Sequence, residues 1–442
     1  MGRARWSENT FEQILWRDDL ANHVNLDRVD KYPVREPEDD STFTGDIFDK
    51  AFSSFNLARA NEAIATGIYP YFKPIAQQRG GTATVDGHEM IITGSNDYLG
   101  LTQDARLKEA ARAALENFGT SCTGSRLLTG TLTLHEELER RLADFLGAEA
   151  VLTFSTGFSG ALAVLGALVG RQDILYFDRE NHASLYDGAR LSFGRLRKYR
   201  HNDLDHLERL LAKDADKPGG RMVVTDGVFS MSGHIVDLPG IIELARKYGA
   251  RVAVDDAHAT GVLGEGGRGT PEYFGLENEI DLMIGTFSKS FASVGGFVSG
   301  LGPVISYIKH HARPFIFTAA LPAMQVAAVL KALDIMETES HHREKLWQNV
   351  AQLKRGMNSL GFDTLGSESQ IVPVLIGSDE LTVIFWKMLW EEGIFTTPAL
   401  PPSVPKDRSI IRTSVNADHA SEQIERLLEA FAGIGRRLGV IS

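Results

Sequence analysis

Short apolar runs alternate with amphipathic stretches through the middle of the chain, from about residue 104 to residue 320. Most of the stretches between the runs, such as 204–213 and 238–248, carry the periodicity of a helix. This alternation predicts an α/β domain with a mainly parallel central sheet and helices on both of its faces. The predicted strands are Ala150–Phe154, Ile174–Phe177, Met222–Thr225, Arg251–Val254, Leu282–Gly285 and Gly296–Gly300.

The segments on either side of this domain have different patterns. A helical pattern over 52–66 leads into a predicted β-hairpin over 83–92, with Asp86-Gly87 at its turn. Towards the C-terminus, a helix from Met324, a strand near 371–376 and a helix from Ser421 indicate a smaller α+β domain. The predicted organisation is an acidic extension (1–55), a helix and hairpin segment (56–103), a large domain (104–320) and the C-terminal domain (321–442).

Composition and charge limit the classes of function. The 442 residues are 43% hydrophobic and carry a net charge of −12, which argues against a general electrostatic grip on nucleic acid or anionic lipid. A single cysteine, Cys122, excludes an internal disulfide and a cysteine-rich metal site. The N-terminus lacks the apolar core of a secretory signal, and the longest uncharged stretch, 150–170, is interrupted by Ser and Gly. We therefore expect a cytoplasmic, soluble enzyme without a transmembrane segment; peripheral membrane contact stays open.

The N-terminal extension differs from the rest in charge. Residues 1–50 hold 12 Asp and Glu against 7 Lys and Arg. Phe11, Ile14, Leu15 and Trp16 predict one short amphipathic helix. Two interpretations stay open: the extension packs on its own protein, or it is an arm that binds a partner.

Nearly every polar cluster of the large domain follows a predicted strand. In open α/β sheets, ligands bind beyond the carboxyl ends of the strands. The sequence therefore predicts one large site at this edge of the sheet. The clusters are 155–157, 178–182, 226–230, 255–258 and 286–290.

Lys289 and Asp255 are the most informative pair among these residues. Lys289 lies between small hydroxyl residues just after an apolar strand, a position suited to an amine that forms a Schiff base with an aldehyde cofactor. Asp255 closes another strand, where its carboxylate can face a pyridine nitrogen. Together they predict pyridoxal 5'-phosphate, which needs an amine for its aldehyde and an anion for its ring. The alternative is a surface lysine and a solvated acid.

A phosphate site is predicted where the strand ending at Phe154 turns into a helix. Backbone N–H groups over Ser155, Thr156, Gly157 and Phe158 and the helix dipole can face an anion, and the hydroxyls of Thr286 and Ser288 can add donors. A simple helix N-cap is the alternative for Ser155 or Thr156.

Two histidines are candidates for contact with the cofactor ring. His182 can stack on a pyridine, and His258, three residues beyond Asp255, can donate to a ring hydroxyl; a core histidine is the alternative. No metal site is predicted, because the adjacent pairs His310-His311 and His341-His342 point to different helix faces.

Two further motifs bear on the ligands that the protein could bind. The Gly-x-Gly-x-x-Gly over 264–269 follows a loop rather than a strand, so we do not expect a dinucleotide site. Arg412 ends a short strand and suits a substrate carboxylate, with a surface salt bridge as the alternative. The loop 398–405 before it is a candidate lid.

Taken together, these residues resemble the α-oxoamine synthases, a family of dimeric fold-type I pyridoxal-phosphate enzymes, from about Ala60 to the C-terminus. Within the family the chain is most similar to the bacterial serine palmitoyltransferase branch, on the strength of 286–290, 313–322 and the Pro401-Pro402 loop. Two residues depart from that pattern: Asp256 replaces the usual Glu, and Asp97 stands where that branch has Asn. The matching segments are 95–100, 124–126 with Gly130 and His135, 181–184, 226–231, 255–258 and 285–289.

The resemblance implies a role for each matched residue. Lys289 holds the cofactor and later takes the Cα proton, Asp255 keeps the ring protonated, and His182 stacks on it. Asp97, His182 and Arg412 are implied at the substrate. The implied cofactor contacts are Ser155, Thr156, Gly157, Phe158, His182, Ser230, Asp255, His258, Thr286, Ser288, Lys289 and, from the neighbouring subunit of a homodimer with shared sites, Thr318.

The implied reaction is a decarboxylating condensation of L-serine with a long-chain acyl thioester. Its product would be 3-ketosphinganine, the first intermediate of sphingolipid synthesis. Alanine or glycine as the amino acid, as in 8-amino-7-oxononanoate synthase or a secondary-metabolite acyltransferase, is the alternative. Acyl-CoA and an acyl carrier protein both stay open as donors.

Overall fold

The computed structural model describes residues 46–52 and 54–442. The part before Pro74 forms a separate unit with helices α1 (Asp49–Phe52) and α2 (Phe55–Ala65). Ser54 caps α2, since its hydroxyl accepts a hydrogen bond from the Leu57 N–H at 3.3 Å. The predicted helix over 52–66 is thus present, whereas the predicted helix near Trp16 and most of the acidic extension lie outside the described residues.

A seven-stranded sheet forms the centre of the large unit, in the order β4-β10-β9-β8-β7-β5-β6. All six predicted strands are present, and the predicted mainly parallel sheet is confirmed: only β10 runs antiparallel to its neighbours. The strands are β4 (Ala150–Phe154), β5 (Ile174–Asp178), β6 (Arg195–Tyr199), β7 (Arg221–Asp226), β8 (Arg251–Asp255), β9 (Leu282–Thr286) and β10 (Gly296–Gly300).

Helices cover both faces of this sheet. Alternate residues along a strand point to opposite faces, so Leu175 and Phe177 pack in one apolar cluster and Ile174 and Tyr176 in another. The helices of the whole large unit, including those of its C-terminal part, are α3 (Ala105–Phe118), α4 (Thr133–Leu146), α5 (Gly157–Leu168), α6 (Ala183–Leu191), α7 (Leu204–Lys213), α8 (Leu238–Tyr248), α9 (Thr270–Phe274), α10 (Gly302–His311), α11 (Arg313–Ile316), α12 (Ala323–Thr338), α13 (His341–Ser359), α14 (Asp379–Glu391) and α15 (Ser421–Arg437).

Two smaller sheets complete the fold, with the orders β1-β2-β3-β12 and β11-β14-β13. The predicted hairpin is β2–β3, with Asp86 and Gly87 both at positive φ in its turn. Because β12 pairs with β3, the hairpin joins the C-terminal part of the chain. The strands are β1 (Ile75–Arg79), β2 (Thr82–Val85), β3 (His88–Ile92), β11 (Ile371–Gly377), β12 (Ile394–Phe395), β13 (Thr397–Ala399) and β14 (Ser409–Ser414). The domain boundaries given above remain a prediction.

Among the described residues, the helices are all too short or too polar to pass through a bilayer.

Candidate active site

A cavity of about 260 Å³ opens where the parallel strands of the central sheet end. It collects residues that follow β4, β5, β7, β8 and β9, as the positions of the polar clusters predicted. Its polar lining residues are Thr156, His182, Ser184, Asp226, Asp255, His258, Thr286, Ser288 and Lys289, together with the glycines 157, 285 and 295.

Lys289 follows β9 in a tight turn. The Ala292 N–H donates to the Lys289 carbonyl at 2.9 Å, and the Phe287 backbone is bonded to both Ser293 and Gly295. The buried Phe287 ring packs against Phe291 and anchors the turn in the core. Burial lowers the pKa of Lys289 to about 8, although the nearby Asp255 carboxylate acts to raise it. Near pH 8 an appreciable fraction of this amine is therefore neutral and able to act as a nucleophile or base.

Asp255 ends β8 and is almost completely buried. Burial raises the pKa of its carboxyl group, and the charges of Lys289 and His182 oppose that shift. One of its oxygens accepts the Ala257 N–H at 3.2 Å. This carboxylate lines the cavity and can pair with a cationic partner such as a protonated ring nitrogen.

The next residue, Asp256, serves a different purpose. Its side chain is fully buried, accepts the Thr270 N–H at 3.0 Å and does not line the cavity. A Cβ atom at Gly269 would lie 1.7 Å from an Asp256 oxygen, so the two residues are in very close contact. Asp256 therefore holds the loop before α9, which includes the Gly-x-Gly-x-x-Gly motif, and this motif lies outside the cavity lining.

His182 is the N-cap of α6, with Nδ1 accepting the Ser184 N–H at 3.3 Å and lying 2.8 Å from its hydroxyl. Nδ1 thus carries the lone pair and, in the neutral ring, Nε2 carries the proton. Burial lowers the pKa of His182, and the positive charge of Lys289 lowers it further, against the opposing charge of Asp255. A neutral, flat imidazole in this cavity is suited to stacking on an aromatic ring.

His258 is hydrogen-bonded to a residue outside the predicted set of site residues, Tyr98. Its Nδ1 lies 2.7 Å from the hydroxyl of the fully buried Tyr98, and burial lowers the pKa of His258 well below its usual range. The two residues are 160 positions apart, so local spacing carried no signal for the pair. Only the position of Tyr98 within the matched segment 95–100 pointed to it.

The first turn of α5 faces the same cavity. Thr156 caps the helix, since its hydroxyl accepts the Ser159 N–H at 3.0 Å, and the first N–H groups of any helix lack intrahelical partners. A Cβ atom at Gly157 would lie 2.9 Å from the Thr286 Cβ, so glycine allows the helix to start against β9. Ser155 instead donates to the Ala319 carbonyl at 2.6 Å and is absent from the cavity lining.

Arg412 is buried on β14. Its Nε donates to the Ser230 carbonyl at 2.7 Å and its Nη2 to the Asn96 side chain at 3.1 Å. Among the described residues its side chain is buried and its hydrogen-bond partners are a carbonyl and an amide oxygen, so the alternative of a surface salt bridge is wrong. Its positive charge lowers the pKa of both His258 and Lys289, so it lies near these two residues, although Arg412 does not itself line the cavity.

Other predicted site residues also lie outside the cavity lining. Asp97 is not in the cavity lining, because its carboxylate accepts the Leu101 N–H at 3.0 Å and the Thr102 hydroxyl at 2.6 Å; its neighbour Asn96 contacts Arg412 instead. Thr318 lines a separate small cavity together with Ser155, and Ser230 contributes its carbonyl to Arg412. The roles of all these residues towards a cofactor or substrate remain predictions.

Among the described residues, one cluster of side chains of the kinds that bind metals does form, although adjacent histidines were expected to point to different helix faces. The ligand atoms of Glu339, His341 and His342 lie within 4.8 Å of one another. The Glu339 carboxylate is already paired with Arg106, at 2.5 Å.

The residues around the cavity suit pyridoxal phosphate. They offer an amine of lowered pKa, a buried carboxylate, a neutral imidazole and a helix N-terminus with adjacent hydroxyls. These are the groups that an aldehyde, a pyridine ring and a phosphate require.

Comparison with known proteins supports the resemblance found in the sequence. A family model for aminotransferase class I and II matches residues 88–431. The chain is 45% identical to a serine palmitoyltransferase of Bacteriovorax stolpii, over 87% of this chain and 91% of that protein. It is 43% identical to an 8-amino-7-oxononanoate synthase of Thermoanaerobacter pseudethanolicus, over 88% of this chain and 98% of that protein.

The fold is also that of a solved relative. A serine palmitoyltransferase structure from S. paucimobilis, with bound PLP and myriocin, superposes with a TM-score of 0.86 at 34% identity, covering 90% of this chain and all of that one. The predicted fold-type I architecture is thereby confirmed. The chain belongs to the aminotransferase class I and II family, in which it is similar to serine palmitoyltransferases and 8-amino-7-oxononanoate synthases.

Proposed function

We propose that this protein is a pyridoxal-phosphate-dependent acyltransferase that condenses L-serine with a long-chain acyl thioester, releases CO₂ and forms 3-ketosphinganine. The observation that carries the proposal is the meeting of Lys289, Asp255 and His182 in one cavity at the carboxyl ends of the strands. The similarity to serine palmitoyltransferases supports the choice of substrates.

Each residue has a task that its environment supports. When bound, pyridoxal phosphate supplies the aldehyde that captures the amino acid and the ring that accepts the electron pair left at Cα. Lys289 would hold the aldehyde, Asp255 the ring nitrogen and His182 the ring face. The N–H groups at the start of α5, with Ser288 and Thr286, would hold the phosphate.

Proton transfer falls to Lys289. As a free amine, Lys289 has its pKa lowered by burial to about 8, and a base whose pKa lies near neutral pH would be suited to taking the Cα proton. A cationic partner such as a protonated ring nitrogen would favour the ionised form of Asp255, against the burial that raises its pKa. Arg412, oriented by Ser230 and Asn96, would bind the substrate carboxylate until it leaves as CO₂.

Spectral titration of the holoenzyme tests the choice of amino acid. We expect a saturable change in the cofactor's visible absorbance with L-serine, and weak or no change with L-alanine and glycine. The similarity to 8-amino-7-oxononanoate synthases makes L-alanine the second candidate. A response to L-alanine alone would keep the reaction type and replace the substrate.

Removal of the Arg412 guanidinium gives a further prediction. Arg412→Ala should raise the KM for L-serine about 10- to 100-fold, the range expected for loss of a hydrogen bond between charged groups. Arg412→Lys keeps the positive charge but loses the forked guanidinium, so its KM for L-serine should lie between those of the wild type and Arg412→Ala. Steady-state kinetics at fixed acyl donor measures this effect, and an unchanged KM in Arg412→Ala would remove the assigned role.

A basic groove beside α6 supports an anionic acyl donor. The groove has a volume of about 610 Å³, and its lining includes four cations against the single carboxylate of Asp187, in a chain of net charge −12. Arg190 pairs with Asp187 and Arg200 with Asp203, whereas Lys198 lies over the Tyr186 ring at 4.6 Å. The lining residues are Arg179, Ala183, Tyr186, Asp187, Arg190, Lys198, Tyr199, Arg200, His206 and Pro402, the last from the candidate lid.

Charge reversal in this groove should weaken the acyl donor alone. Lys198→Glu is expected to raise the KM for palmitoyl-CoA about tenfold at low salt and to leave the KM for L-serine unchanged. Lys213→Glu, at an exposed lysine outside the groove, is the matched control. Parallel assays with palmitoyl-CoA and a palmitoylated carrier protein show which donor is used; equal KM values in wild type and Lys198→Glu with both donors would contradict the prediction.

A homodimer with shared active sites remains part of the proposal. Thr318 does not line the active-site cavity of its own chain, which fits a contribution to the site of a neighbouring subunit. A cytoplasmic location is likewise an expectation.

A further inference from the structure

Three titratable side chains form a hydrogen-bonded row outside the cavity. Asp178 ends β5 with its side chain fully buried, and its Oδ1 lies 3.0 Å from His201 Nδ1. His201 Nε2 lies 2.9 Å from His234 Nδ1, and His234 Nε2 lies 2.7 Å from the carbonyl oxygen of Leu365. None of the three residues lines the candidate active site.

The positions of the protons follow from the last member of the row. A carbonyl oxygen only accepts, so His234 Nε2 must carry a proton, and an ionised carboxylate only accepts, so His201 Nδ1 must donate to Asp178. The hydrogen bond between His201 Nε2 and His234 Nδ1 needs one more proton, so one of the two rings is an imidazolium. We assign the charge to His201, because the carboxylates of Asp178 and Glu180 lie beside that ring.

The surrounding charges agree with this assignment. Burial acts to lower the pKa of His201, but the hydrogen bond that it donates to Asp178 and the charges of Asp178 and Glu180 outweigh this effect, and the net pKa is raised. The groups that face His201 are Asp178 from β5, Glu180 from the following loop, with its carboxylate 3.6 Å from Nε2, and His234. The segment around Leu365 contributes a backbone carbonyl.

The row holds a turn that is hydrogen-bonded to Arg412. Phe229 and His234 close this turn, since the Phe229 N–H donates to the His234 carbonyl at 3.0 Å. His201 contacts both ends of the turn. Its imidazole packs edge-on against the Phe229 ring, with the ring centroids 4.4 Å apart, and it is hydrogen-bonded to His234. Between them lies Ser230, whose carbonyl accepts the Arg412 Nε–H.

We propose that His201, as an imidazolium between Asp178 and His234, is a positioning residue that fixes the turn over 229–234 and, through the Ser230 carbonyl, sets the orientation of Arg412 for the amino acid carboxylate. This inference rests on the proposed role of Arg412. Loss of one proton from His201 removes one of the two hydrogen-bond donors of its ring. The amino acid should then bind more weakly while the chemical step, which uses other residues, is little changed.

The protonation state can be measured without turnover. Nitrogen-15 NMR of the histidine-labelled holoenzyme at pH 7 should show one imidazole with both nitrogens protonated that is missing from the spectrum of His201→Gln. A neutral His201 at pH 7 would overturn the proposal, whatever the kinetics show. This measurement uses the wild-type fold and stands even if a variant is unstable.

Binding of L-serine tests the consequence. His201→Gln keeps a donor towards His234 but loses the charge, and it should raise the serine Kd of the holoenzyme about 5- to 10-fold with kcat within about twofold. The sign of the pH effect follows from the raised pKa: serine affinity in the wild type should fall as pH rises through the pKa of His201, and this limb should be missing in His201→Gln. His310→Gln, at an exposed histidine, is the control, with thermal stability measured for each variant.

The double variant separates this inference from the proposed function. Once Arg412→Ala has weakened serine binding, adding His201→Gln should have no further effect. If Arg412→Ala has no effect while His201→Gln does, or if the two effects add, His201 acts by another route and the proposal is overturned. If Arg412→Ala weakens binding and His201→Gln does not, the proposal is again overturned, but the role of Arg412 stands.

Discussion

Lys289→Ala is expected to lower kcat by at least about 10³-fold, since it removes both the covalent anchor of the cofactor and the general base. The variant should also lose the visible absorbance that depends on the covalent bond between the lysine and the cofactor. The amine is the only group lining the cavity that can form such a bond, and burial already lowers its pKa to about 8.

The matched control for this experiment is Lys309→Ala, at an exposed lysine on α10. Its absorbance spectrum and kcat should equal those of the wild type. Wild-type turnover in Lys289→Ala would reject the assignment of the cavity as the active site.

Asp255→Asn is the second change with a large expected effect. The amide has nearly the same shape but no charge, so it cannot stabilise a protonated ring nitrogen, and kcat should fall about 10²- to 10⁴-fold. The variant also removes the charge that raises the pKa of Lys289, so this pKa should drop further below about 8. The rate at which the apoenzyme takes up cofactor reports this, because only the neutral amine reacts.

The rate of cofactor uptake should therefore reach half its maximum at a lower pH in Asp255→Asn than in the wild type. Asp205→Asn, at an exposed position on α7, should match the wild type in both kcat and the pH profile. Equal kcat values for Asp255→Asn and the wild type would show that the carboxylate does not face a catalytic group.

The strands of the central sheet can be predicted where they carry an apolar run, and not where exposure at the sheet edge replaces that run with charged residues. All six apolar strands of the central sheet were found. Strand β6 was missed because it lies at the sheet edge, where it carries Arg195, Arg197 and Lys198 in place of an apolar run.

The cavity residues were predictable for a similar reason. Parallel strands bring their carboxyl ends together, so Lys289, Asp255, His182 and His258 could be grouped before any contact was known. Sequence spacing does not report which of two neighbours points inward. The resemblance implies Asp97 at the substrate, and this role stays a prediction; in the structure Asp97 caps its own loop, and the neighbouring Asn96 reaches Arg412 across 316 positions. The row from Asp178 to Leu365 was invisible for the same reason, since its hydrogen bonds join four distant segments.

The measurement that tests the central claim most directly is product analysis by mass spectrometry. The purified holoenzyme is incubated with L-serine and palmitoyl-CoA, and separately with L-alanine or glycine, with Lys289→Ala as the inactive control. We predict 3-ketosphinganine from L-serine, in an amount that matches the CoA released, and none with Lys289→Ala. Condensation with L-alanine or glycine in preference to L-serine would contradict the proposed substrate, and the absence of any condensation product from these amino acids would contradict the proposed reaction.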